Sequence, residues 1–166
     1  MEKSFREGPT GVCVTPHIFG ATNPEWSEKA AAKITGLTAS TTKADLYKAV
    51  LEGVCCELDL NVRVLERLTT PVQRLPMTGG GTRSANWMQM RADITGKTAD
   101  AVDSGAEASC MGAAILAGMG IGIFRDPSDA HRKMSSELRR YHPSGNRLYD
   151  RQKDIYLTLH RPGLMD

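Results

Sequence analysis

Three consecutive glycines stand in the run Thr78-Gly79-Gly80-Gly81-Thr82-Arg83-Ser84, between the short apolar stretch Leu75–Met77 and a segment that reads as a helix from Ser84. Glycine accepts positive φ and lets a ligand approach the backbone without meeting a Cβ. A helix start offers unpaired N–H groups and the positive end of the macrodipole, a setting that suits a phosphate. The candidate binding residues are therefore Gly79, Gly80, Gly81, Arg83 and Ser84. Arg83 stands beside the loop, and Ser84 can cap the helix. A glycine-rich turn between a strand and a helix is also found with no ligand at all, so the surrounding elements must decide.

Those elements can be placed from pattern. Gly11 to Val14 reads as a short strand, followed by a loop with turn formers at Thr15-Pro16 and Asn23-Pro24. Trp26 is either near a cleft or a plug under that loop. A long helix is expected from Thr42 to Leu68, with Thr41 or Thr42 as its cap and Asp45 in its first turn. Leu46, Val50, Val54, Leu58, Leu65 and Leu68, with Asn61 as the exception, recur at helical spacing and mark one face. Thr69-Thr70-Pro71 breaks the helix, and Gln73 to Met77 should be a strand, awkward for Pro76. A helix to Thr95 then ends at Gly96, a good left-handed cap. Lys97 to Val102 is a weak strand; Ala108 to Ala117 is a helix apolar on nearly every side, expected to be buried. Asp126-Pro127-Ser128 should open a helix to about Tyr141, and a last helix should run from Arg147 to His160.

Taken in order, these segments resemble a known family. Ala32-x-Ile34-x-Gly36-Leu37 followed by Asp45-Leu46-x-x-Ala49-Val50-Leu51-Glu52-Gly53 resembles the second signature of the FGGY carbohydrate kinases. Gly79-Gly80-Gly81-Thr82-Arg83-Ser84, with Trp87, Gln89, Ala92-Asp93 and Gly96, resembles that family's adenosine-binding motif and the helix behind it. Glu107-Ala108 and Gly112-Ala113-Ala114 resemble its next helix. The resemblance implies an α/β chain, the C-terminal part of an actin-like ATPase (ribonuclease H-like) fold. Residues 1–166 are then a single partial domain. In such kinases the sugar site, the aspartate base and the phosphate loops precede the region matched, so no catalytic residue is assigned. Glu52 and Glu107 are not offered as bases, and Gln89 and Asp93 are read as structural support.

The function implied is the nucleotide-binding portion of a kinase that moves the ATP γ-phosphate to a sugar hydroxyl, inactive alone. In it the resemblance puts Gly79, Gly80 and Gly81 on the adenosine and α-phosphate side, Arg83 at ribose or phosphate or else in solvent, and Ser84 as cap, nucleotide contact or both. ATP is the implied cofactor. Mg2+ belongs to the complete enzyme, with no metal ligand identified here. Implied partners are a nucleotide, a sugar, and the missing N-terminal kinase domain or another copy of the chain. Triple glycine followed by Thr-Arg-Ser is more similar to the xylulose-kinase-like branches than to glycerol kinase, which points to a ketopentose first, with autoinducer-2 or a polyol behind it. The alternative is a non-catalytic assembly or interaction module derived from such a kinase.

Composition narrows the field further. A net charge of +2 over 166 residues, with no dense basic stripe, gives no nucleic-acid surface. Arg132-Lys133 and Arg139-Arg140 read as a solvated helix face. Met111 to Phe124 is too short and too glycine-rich for a membrane span, which needs about 20 residues. The first seven residues are charged throughout, unlike a signal peptide, so the cytoplasm is the expected compartment. Cys13, Cys55, Cys56 and Cys110 form no C-x-x-C and are expected as buried free thiols. His17, His131, His142 and His160 show no ligand spacing to one another. Gly118-x-Gly120-x-Gly122 closes a helix instead of opening one, so it is no dinucleotide fingerprint. No Gly-Lys-Ser/Thr follows the glycines of the loop, so it is no Walker A motif.

Overall fold

The computed structural model describes residues 2–24, 26–102, 108–134 and 138–160. Its backbone is organised by α1, Lys43–Leu68. Thr42 caps this helix: its hydroxyl accepts from Asp45 N, and Thr42 N donates back to Asp45 Oδ2 at 2.9 Å, a reciprocal capping box. Two short strands, β1 (Cys13–Thr15) and β2 (Lys33–Thr35), pair antiparallel beside it.

The face of α1 that is buried is not the apolar stripe. Asp45, Lys48, Ala49, Glu52, Gly53, Cys55, Cys56, Asp59 and Val62 are inside. Leu46, Val50, Leu65 and Leu68 are exposed, Leu68 by 79%. Close approach explains the choice. A Cβ on Gly53 would lie 2.2 Å from the carbonyl oxygen of Val14, so glycine is what lets β1 lie against the helix. Ala49 completes the contact with Val12 and Val14. The polar members of this face are bonded. Glu52 Oε2 accepts from Thr10 Oγ1 at 2.9 Å and from Gln152 Nε2 at 2.9 Å, with Lys48 Nζ 3.4 Å from Oε1. Lys48 Nζ also donates to the carbonyls of Arg6 and Gly8. A buried charge persists only with such partners.

The second half is a three-stranded sheet, ordered β3 (Arg74–Met77), β4 (Thr98–Val102), β5 (Leu138–Tyr141). β3 and β4 are parallel and are joined through α2 (Ala85–Thr95); β5 is antiparallel to β4. Pro76 is accommodated because β3 is an edge strand, with one row of backbone groups free of the ladder. β4 has little apolar bulk yet is central. Ala99 and Ala101 pack fully buried with Met88 and Ala92 of α2, while the buried Asp100 lies between them in sequence and takes Arg74 Nε at 2.7 Å and Arg140 Nε at 2.9 Å. The main core lies between α1, α2, β1 and α5 (Asp150–His160): Cys13, Leu51, Cys55, Cys56, Met90, Ile94, Tyr149 and Tyr156.

Several expectations are corrected. The helix expected to reach Tyr141 ends at Lys133 as α4 (Pro127–Lys133), and Leu138–Tyr141 is a strand. Arg139 and Arg140 are thus sheet residues, Arg140 on Asp100 and Arg139 donating to the Thr82 carbonyl at 3.3 Å, instead of a solvated helix face. The pairing with β4 overrides helix propensity here. α3 (Ala108–Gly120) forms as a helix but is mostly exposed, with Leu116 at 69%. Cys110 on it is exposed, while Cys13, Cys55 and Cys56 are buried. Trp26 is 72% exposed and plugs nothing. Glu107 lies outside the described residues.

Burial alone would raise the Asp100 carboxyl, but the bonds from Arg140 and Arg74 hold it net below its ordinary value. A depressed carboxylate adds stability above its unfolded pKa of about 3.9, and that stability is lost as pH falls through the folded value. Asp100→Asn should therefore lower unfolding free energy by about 1.5 kcal/mol at pH 7. The gap to wild type should narrow as pH drops below about 4, as read by urea denaturation at each pH; a gap independent of pH would contradict this account. A second outcome follows from the exposed leucines of α1 and α3. The isolated chain should self-associate, with sedimentation velocity showing weight-average mass rising with concentration. A compact monomer at high concentration, melting well above about 60 °C, would count against it.

Candidate nucleotide site

The glycine loop leaves β3 and becomes a short 3-10 helix, Gly80–Arg83, before α2. Gly79 makes the turn, at φ 89 and ψ −178, a conformation that only glycine adopts without strain. The buried Thr82 closes it, donating through both N (3.1 Å) and Oγ1 (2.8 Å) to the Gly79 carbonyl. The three glycines therefore have different roles. Gly79 supplies backbone conformation. Gly81 gives room inside: a Cβ there would come within 2.9 Å of the Trp87 ring and 2.8 Å of Arg91, whose guanidinium lies 4.1 Å from the centre of that ring. Gly80 is exposed, its φ is not positive, and nothing lies within 4 Å of where its Cβ would be. The Cβ position of Gly79 is equally open, so Gly80 differs in combining open space with ordinary φ.

Arg83 is exposed at the end of the turn. Ser84 is the N-cap of α2, its Oγ accepting from Trp87 N at 3.1 Å, so the helix proper begins one residue later than expected. The same hydroxyl donates to Glu2 Oε2 at 2.8 Å. Ser84 is thus occupied as a cap, and a carboxylate holds the anion-favouring end of the helix. The segment Thr78–Ser84 contains no carboxylate.

Behind the loop, α2 is anchored by its own polar side chains. Gln89 Nε2 donates to Asp93 Oδ1 at 3.1 Å and to the His142 carbonyl at 2.9 Å, and Ser144 N donates to Asp93 Oδ1 at 2.7 Å. These residues fasten the segment after β5 to the helix. A cleft of about 580 Å³ lies beside them, lined among others by Glu2, Lys48, Asn86, Gln89, Asp93 and Tyr149. It does not include the glycine loop. The buried thiols are not nucleophiles, since burial pushes Cys13 up to about 11 and Cys55 up to about 12.

Sequence spacing missed one group. His17, Glu57 and His160 converge, with ligand atoms all within 4.8 Å of one another. Residues so distant in the chain carry no local signal of their meeting.

Comparison with known proteins bears on the family and the fold. The model of the FGGY family of carbohydrate kinases, C-terminal domain, matches residues 2–121. A xylulose kinase of Staphylococcus epidermidis is 30% identical over 125 residues, 75% of this chain and 25% of that protein. An L-fuculokinase of Escherichia coli is 28% identical over 137 residues, 82% of this chain and 27% of that protein. Among solved structures, a xylulose kinase from Rhodospirillum rubrum superposes with a TM-score of 0.74 at 27% identity, covering 95% of this chain and 31% of that one. A glycerol kinase from Plasmodium falciparum solved with ADP does so with a TM-score of 0.71 at 27% identity, covering 95% and 30%. The chain spans about a quarter of the length of the curated relatives it matches. Its architecture is a portion of the actin-like ATPase fold of these kinases. Matched by that family model over most of its length, the chain belongs to the FGGY family of carbohydrate kinases, as part of the C-terminal domain.

Proposed function

We propose that this chain forms the adenosine side of the ATP site of a carbohydrate kinase and is catalytically incomplete by itself. The observation that carries this is Gly80, exposed and unobstructed between the conformational Gly79 and the packed Gly81. Gly79, Gly80 and Gly81 line the nucleotide, with Arg83 beside the ribose or α-phosphate and Ser84 holding the helix that supports them. A related glycerol kinase solved with ADP supports the nucleotide class. ATP supplies the transferable phosphoryl group. Its transfer rests on positioning and charge stabilisation, for which residues outside this chain are needed, as is the holding of Mg2+. A ketopentose is the proposed acceptor, in keeping with the xylulose kinases among the relatives. The exposed apolar faces of α1 and α3 are proposed to pack on the remainder of such a kinase, in the cytoplasm.

A titration followed by amide shifts tests the nucleotide reading. Wild type should bind ATP with a dissociation constant on the order of 1 mM, about 4 kcal/mol. AMP should bind nearly as well, because the described residues offer no phosphate cradle, and the shifts should centre on residues 79–84. Gly80→Val should abolish them while the fold stays intact, since the added side chain points into open space and meets ordinary φ. Saturating nucleotide without shifts in the loop would leave the alternative, an assembly module without an ATP site. Coupled assays over pentoses, hexoses and polyols should show no sugar-dependent ADP release. Release proportional to chain concentration with one sugar would sink the claim of incompleteness.

A further inference from the structure

The side chains of His17, Glu57 and His160 come from three separate elements: the loop after β1, the middle of α1 and the end of α5. His17 Nε2 and His160 Nδ1 are 3.1 Å apart. Glu57 Oε2 lies 3.7 Å from the first and 3.6 Å from the second. Ligand atoms on a tetrahedral zinc with bonds of about 2.0–2.1 Å are ~3.3 Å apart. The triangle matches that spacing closely, and an ion needs only small side-chain shifts to enter it. We propose that His17, Glu57 and His160 form a binding site for a divalent transition metal, zinc first, distinct from the magnesium that accompanies a nucleotide.

The donor set argues for this class. Two imidazoles and one carboxylate suit zinc and its transition-metal neighbours, whereas magnesium demands oxygen ligands in octahedral array. Three protein ligands leave the fourth position to water. The surroundings hold the ligands in place. Tyr156 OH donates to Glu57 Oε2, and the Tyr156 ring stacks on His160 with centroids 6.0 Å apart. Such outer partners orient a carboxylate and a histidine for a metal. All three side chains are mostly covered, at 9%, 17% and 10% exposure, so an ion would be shielded yet reachable. Lys33 opposes it: its Nζ is held on the Leu159 carbonyl at 2.8 Å, next to His160 in sequence, and its charge weakens cation binding. Without an ion, one proton shared between the two imidazoles joins the histidines. Metal replaces that bond and ties the β1 loop and the end of α5 to α1.

The test uses the whole 166-residue chain with Cys110→Ser, so that the exposed thiol supplies no ligand. After chelator treatment, Co2+ is titrated by visible absorption and Zn2+ by calorimetry. One equivalent should bind, with tetrahedral cobalt bands that Zn2+ displaces and excess Mg2+ does not. Zinc at about a hundredfold above its dissociation constant should raise the melting temperature by roughly 5–10 °C. Tyr156→Phe should weaken binding about tenfold, and His17→Gln or His160→Gln should remove the stoichiometric site. Absence of saturable binding in the wild-type background overturns the proposal, and so does binding that survives both histidine variants or yields to magnesium. Because the wild-type background is decisive by itself, a variant that fails to fold does not leave the matter open.

Discussion

A buried carboxylate on a long helix organises this chain. Glu52, fully inside, takes bonds from Thr10 ahead of β1 and from Gln152 of α5, with Lys48 one helical turn away. Burial pushes its carboxyl up, while Lys48, Thr10 and Gln152 pull it back, and the net remains raised. A charge in that position is tolerable only when every one of these partners is present. That requirement brings together segments more than a hundred residues apart. Gly53 sets the distance: without a Cβ it lets Val14 O approach α1, and β1 then fixes where the His17 loop begins. Core packing, loop placement and the seat of α5 all descend from the Glu52-Gly53 pair.

The sheet repeats the strategy with opposite exposure. Asp100 is covered, but its two arginines reach it from half-exposed positions on the flanking strands. The aliphatic stems of such arginines can cover the carboxylate while their heads keep contact with water. This makes a strand of alanine, aspartate and threonine suitable for the centre of a sheet. Because β5 is held on β4, Arg139 arrives at the Thr82 carbonyl and braces the glycine loop. The glycine loop is thus supported from behind by a strand that follows it by more than fifty residues. Its rigid parts are Gly79, Thr82 and Ser84, which are internally bonded, and its open part is Gly80.

Leu46, Val50, Leu65 and Leu68 of α1 and Leu116 of α3 stand exposed. The proposal that α1 and α3 pack on the remainder of a kinase gives these residues a place. They also show that an apolar stripe states what a helix face requires, not what the same chain provides.

From the sequence alone one can read the glycine loop, the capping of α1 and α2, the left-handed Gly96, and the family resemblance that orders them. Each depends on interactions within a few residues, where residue type and spacing nearly fix the geometry. The tertiary structure decided the rest. It chose the small and polar face of α1 for burial, because Ala49 and Gly53 allow a strand to approach and Thr10 and Gln152 satisfy Glu52. It made Leu138–Tyr141 a strand, because β4 offered an edge to pair with. It also gathered His17, Glu57 and His160. Those outcomes depend on partners far along the chain, and no local pattern encodes where such partners come to lie.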